Sequence, residues 1–83
     1  MSIYRIDWDS DGIALFGRAM SSQGQVLYRL AVELLPGGGG FDWSVWTTED
    51  ATTAIGHGIA VSGMVAVANA EEAARAWDAA NDP

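Results

Sequence analysis

The stretch Asp7-Trp8-Asp9-Ser10-Asp11-Gly12 sets three carboxylates at every second position and closes on a glycine. That is the opening half of the calcium-loop pattern D-x-[DN]-x-[DN]-G-x5-E, in which the twelfth residue completes an oxygen cage with a bidentate carboxylate. Counted from Asp7, the twelfth residue is Arg18. A guanidinium there opposes a cation, and the flanking residues alternate like strands, not like the paired helices of an EF-hand. A hairpin end with solvated aspartates is the better reading. On a strand, Asp7 and Asp9 share a face about 6 to 7 Å apart. Such a row can imitate backbone phosphates in front of a nucleic-acid-binding protein.

His57 is the one imidazole of the chain, and there is no cysteine. A transition metal would need carboxylates or a second chain to complete its ligand set. For catalysis, His57 could serve as base to Ser44 or Ser62 only if folding joins them, and neither serine lies in a nucleophile motif. Gly56-His57-Gly58 starts like a dinucleotide-binding glycine pattern, yet Val61 stands where the third glycine belongs, and Pro36 to Gly40 lacks the Gly-Lys-Ser/Thr ending of a phosphate loop. No cofactor or metal is expected. What these residues leave as an alternative is a small enzyme, or a ligand- or calcium-binding domain, using His57 and the Asp7/Asp9/Asp11 turn.

The elements that must position these groups read mostly as strands. Tyr4, Ile6 and Trp8 alternate with charged residues, giving a strand over about 2–8, and Asp11-Gly12 signals a hairpin into a second strand at 13–20. Ser21 to Gly24 is a turn. In 25–35, Val26, Tyr28, Leu30, Val32 and Leu34 form one face, opposite Arg29 and Glu33, with Leu27, Ala31 and Leu35 making that second face half apolar. Pro36 to Gly40 reads as a flexible connector, 41–48 as a fourth strand, 49–58 as a loop and the apolar run 59–68 as one more strand. Asn69 and Glu72 suggest a capping box opening a terminal helix. Its Ala70, Ala73, Ala74 and Trp77 would face the sheet, with Trp77 as main anchor, while Glu71 pairs with Arg75. The expected fold is α+β: an antiparallel sheet of four to five strands with one C-terminal helix packed on one face, a single compact domain over 1–83.

Composition narrows the function. Eleven acidic residues face four arginines and no lysine, a net charge of -7. Direct nucleic-acid binding draws its affinity from cations that neutralise phosphates, so it is disfavoured. The N-terminus reaches charge at Arg5 without the apolar core of a signal peptide, and no run approaches a membrane span, so a cytoplasmic location is expected. Trp8, Trp43 and Trp77 fall on core faces, whereas Trp46 shares the other face with Arg29, a combination enriched at interface hot spots. One helix covers one side of a sheet, so the other side is left for a protein partner with a basic surface or for a homodimer. Asp7, Asp9, Asp11, Arg29 and Trp46 are the expected partner-binding residues.

In size and composition, with no motif behind the likeness, the chain resembles the small inhibitors carried by phages and mobile elements, anti-CRISPR proteins among them. The residues themselves point to a non-enzymatic acidic protein-binding module; the resemblance implies that it blocks a nucleic-acid-binding complex by presenting carboxylates and aromatics.

Overall fold

A computed structural model describes residues 2–49 and 52–81. Strand β1 (Arg5–Asp11) and strand β2 (Ala14–Met20) form a hairpin across the two-residue turn Gly12-Ile13. Gly12 has φ 64°. Positive φ at the first central position alone is the type II′ arrangement, whose twist matches that of the strands. Strand β3 (Val26–Leu34), strand β4 (Phe41–Thr47) and strand β5 (Ala54–Ala60) follow, and the five lie in the order β1-β2-β3-β4-β5, each antiparallel to its neighbour. Helix α1 (Gly63–Asn81) closes the fold on one face. The architecture is therefore the α+β sheet-and-helix expected from the sequence.

The loops hold register by backbone and side-chain bonds. Ser21 is buried, donates its N–H to the Gln25 carbonyl at 2.9 Å and accepts from the Gln25 N–H through Oγ at 3.2 Å. Between β3 and β4 the expected flexible connector is a single 3-10 turn, Pro36–Gly38, closed by the Leu35 N–H on the Gly40 carbonyl at 2.9 Å. Only glycine suits position 40. Its φ is 103°, and a Cβ there would stand 2.7 Å from the Ala60 carbonyl oxygen.

The covered face is built from Leu30, Val32 and Val45, which are fully buried, with Ile6, Trp8, Tyr28, Phe41 and Trp43 around them. Two tryptophans lie flat across glycines directly opposite them: Trp8 pairs with Gly17 and Trp43 with Gly58. A Cβ on Gly17 would sit 3.1 Å from the Trp8 ring, and one on Gly58 2.9 Å from the Trp43 ring. A strand glycine costs about 0.5–1 kcal/mol. Laying an indole over it removes on the order of 150 Å² from water, about 4 kcal/mol at 25 cal/mol per Å². The pairing is a net gain.

The helix differs from expectation in where it starts and in how it is anchored. Residues 63–68 are helical, not part of a strand, and β5 occupies 54–60, so it meets the expected strand only at 59–60 and otherwise lies in the expected loop. Ser62 is the cap, its Oγ accepting from the Val65 N–H at 3.2 Å, so Asn69 and Glu72 are mid-helix residues and cap nothing. The buried stripe is Ala66, Ala70, Ala74 and Asp78, spaced by four. Trp77 is not the anchor; it stays 39% exposed. Its neighbour Asp78 takes that role, accepting from the Tyr28 hydroxyl and the Ile3 N–H, both at 2.9 Å. Glu71 does not pair with Arg75 but accepts from the Trp8 indole N–H at 2.8 Å.

Two expectations follow. Asp78→Ala removes the acceptor of one buried and one half-buried hydrogen bond and is expected to cost about 2–3 kcal/mol, measured by urea unfolding. Gly58→Ala is expected to cost about 1–3 kcal/mol through overpacking; in a Trp43→Leu background most of that penalty should vanish, which a double-mutant cycle reads directly.

Candidate functional site: the open face of the sheet

The strand period of two sends every second side chain to the face away from α1, and the registers assemble these into transverse rows. One row runs Asp7, Arg18, Arg29, Trp46 across β1 to β4. The next runs Asp9, Phe16, Ala31, Ser44, His57 across all five strands. A third holds Asp11, Ala14, Glu33, Asp42 and Ile59. The five residues expected from sequence to bind a partner, Asp7, Asp9, Asp11, Arg29 and Trp46, thus share one face. Leu27 does not join them. It sits at the β2–β3 irregularity and packs against the core cluster.

Charge on this face is unevenly compensated. Arg5 Nε lies 3.1 Å from Asp7, and Arg18 donates to Asp9 at 2.9 Å, so the two strand aspartates each hold an arginine. Both pairs are exposed, where an ion pair is worth about 0–1 kcal/mol. They neutralise more than they stabilise. Asp11, Glu33 and Asp42 form no ion pair with a described residue, and they stand in the third row. The uncompensated negative charge therefore lies two rows from Arg29 and Trp46, with the Phe16 and Ser44 row between.

Trp46 is half-buried, opposite Arg29, with its indole N–H on the Ser44 Oγ at 2.9 Å. That bond lays the ring along the sheet. Phe16, 45% exposed, stands one row further on, and Arg18 is directly opposite Arg29. A shallow hollow between them is lined by Asp9, Phe16, Arg18 and Arg29. Facing arginines repel across a pair of strands; Asp9 relieves Arg18, while Arg29 has no ion-pair partner among the described residues.

Sequence reasoning missed Phe16, Arg18, Glu33 and Asp42. The two-residue turn at Gly12-Ile13 fixes the β1–β2 register, and that register alone would have set Phe16 against Asp9 and Arg18 against Asp7.

His57 and Ser44 are cross-strand neighbours on the exposed face, so folding does bring them side by side. The Ser44 hydroxyl is engaged by Trp46, and no hydrogen bond joins it to His57. Ser62 is remote from both in role, serving the helix cap. Among the described residues no group of three His, Asp or Glu is placed to hold a metal ion. Asp7 and Asp9 lie along an extended strand with their arginines, a geometry that does not wrap oxygens around a cation. No helix among the described residues is long and apolar enough to cross a membrane.

Comparison with family models, with curated protein sequences and with solved structures finds no match.

Because Asp7 and Asp9 are already engaged and Asp11 stands apart, millimolar calcium is expected to leave the melting temperature where equimolar magnesium leaves it, read by scanning calorimetry. A rise specific to calcium would restore the ion-binding reading of residues 7–12.

Proposed function

We propose that the chain is a non-catalytic acidic protein-binding module that docks through the open face of its sheet onto a partner with a basic surface. The supporting observation is the row Asp7-Arg18-Arg29-Trp46, which puts an arginine and a tryptophan side by side on the open face, with three uncompensated carboxylates two rows away on the same face. Trp and Arg dominate binding energy when a partner desolvates them, and surrounding polar groups act by excluding water. Asp11, Glu33 and Asp42 supply the steering charge toward Lys and Arg.

On this reading the chain acts by occupancy. A basic groove that ordinarily holds a nucleic-acid backbone is the partner surface that suits it, as the resemblance to small phage inhibitors implies. The mimicry would be carried chiefly by the third row, since the Asp7 and Asp9 charges are offset within the chain.

The test is affinity capture from cell extract with quantitative mass spectrometry, comparing the native chain, Trp46→Ala, and the triple variant Asp11→Asn, Glu33→Gln, Asp42→Asn. A partner that uses this face should lose about 2 kcal/mol with Trp46→Ala, roughly thirtyfold in Kd. With the triple variant it should lose most of the salt dependence of its association. A partner retained equally by all three chains would place the binding surface elsewhere and end this reading.

A further inference from the structure

The opposite edge of the sheet has a different character. β1, one edge strand, carries Arg5, Asp7, Asp9 and Asp11, the charges by which edge strands are usually shielded from added strands. β5, the other edge, reads Ala-Ile-Gly-His-Gly-Ile-Ala, without Lys, Arg, Asp, Glu or Pro. Its irregularity is confined to its start, at the β4–β5 register shift. Among the described residues no strand pairs with its outer side. A row of backbone N–H and C=O groups is thus left facing outward.

Above this edge lies a notch of about 290 Å³ lined by Trp43, Asn69, Glu72, Ala73 and Ala76. Its position follows from the glycines. The Trp43 ring reaches over Gly58 and Gly56, and Ala73 Cβ lies 3.0 Å from where a Gly56 Cβ would be, so ring and helix meet over β5 itself. A Cβ at 56 would press on Ala73 and one at 58 on the Trp43 ring, so glycine at both positions lets the two walls of the notch sit where they do. The edge thus combines open hydrogen-bonding groups, an apolar floor and a carboxylate at the rim.

We propose that an extended peptide of another protein adds to the outer edge of β5, lodging one large apolar side chain in the notch beside Trp43 and a Lys or Arg two residues away against Glu72. Strand addition of this kind takes affinity from main-chain bonds and specificity from a receptor pocket for alternate side chains. A second copy of the chain fits poorly. In an antiparallel pair of β5 strands the residues offered to each notch would be Gly56, Gly58 and Ala60, too small to occupy it. Each copy also brings a net charge of -7 and its own Glu72. A basic peptide meets the opposite sign. The open-face reading above does not enter this argument, and the two sites are separable by mutation.

The probe is a synthetic heptapeptide in which threonine alternates with arginine, leucine and arginine, titrated into the isotope-labelled full chain and followed by amide and indole NMR shifts. Shifts should concentrate on residues 55–60 and the Trp43 indole N–H. Methylating alternate backbone nitrogens of the peptide, or filling the notch with Ala76→Phe on the exposed side of α1, should each weaken binding about tenfold or more. Glu72→Arg should weaken it severalfold and flatten its salt dependence. Trp46→Ala, on the far face, should change nothing. Failure of the native chain to shift at β5, or binding indifferent to Ala76→Phe and to N-methylation, would overturn the proposal. So would loss of binding with Trp46→Ala, or a dimer seen by sedimentation that Ile59→Lys dissolves.

Discussion

Two indoles lying across two glycines set the geometry of this molecule. A helix whose buried stripe is alanine offers little apolar area of its own, and a sheet of five short strands needs more cover than that stripe provides. Trp8 and Trp43 close the gap by folding down over Gly17 and Gly58 in the facing strands. Trp8 is tied to α1 through Glu71, and Trp43 reaches the helix flank at Ala73 and Ala76. One tryptophan thus extends the core toward the β1–β2 side, where α1 does not lie. The other extends it to the β5 edge.

With most of the large apolar side chains committed to one face, the second face is free to carry charge beside Phe16 and Trp46. It is also ordered: three rows grade from the arginines and Trp46, through Phe16 and Ser44, to a line of carboxylates. Salt bridges to Arg5 and Arg18 draw the charge of Asp7 and Asp9 inward. The uncompensated acidic charge is therefore carried by Asp11 together with Glu33 and Asp42, the latter two outside the motif that first attracts the eye. His57 and Ser44 adjoin, but the serine hydroxyl is held by an indole.

Much of this was legible before any coordinates. Strict alternation in β1 and β3 fixed their inward faces, Asp11-Gly12 marked the first hairpin, and the odd placement of Trp46 was visible from period two alone. β5 was hidden because its inward positions are Gly56 and Gly58, so the alternation has no side chains to show; the apolar partner of those positions is Trp43, on another strand. The start of α1 was hidden for the opposite reason. Val61, Val65 and Val67 are β-branched and suggest a strand, but Ser62 caps the following N–H groups and the four-residue spacing of Ala66, Ala70 and Ala74 decides for helix. Asp78 could not be foreseen as an anchor, since its two donors come from residues 3 and 28, and no local pattern encodes them.

Each strand pairs only with the one next to it along the chain, so the sheet can zip up hairpin by hairpin as synthesis proceeds, with short loops and little closure entropy to overcome. The cover arrives last. Until α1 emerges, Leu30, Val32 and Val45 are bare, and the closing bond from Asp78 back to Ile3 joins the last helical turn to the beginning of the fold. A nick or slippage in the final turn of the helix would therefore be felt at the opposite end of the polypeptide, loosening residues translated some seventy positions earlier.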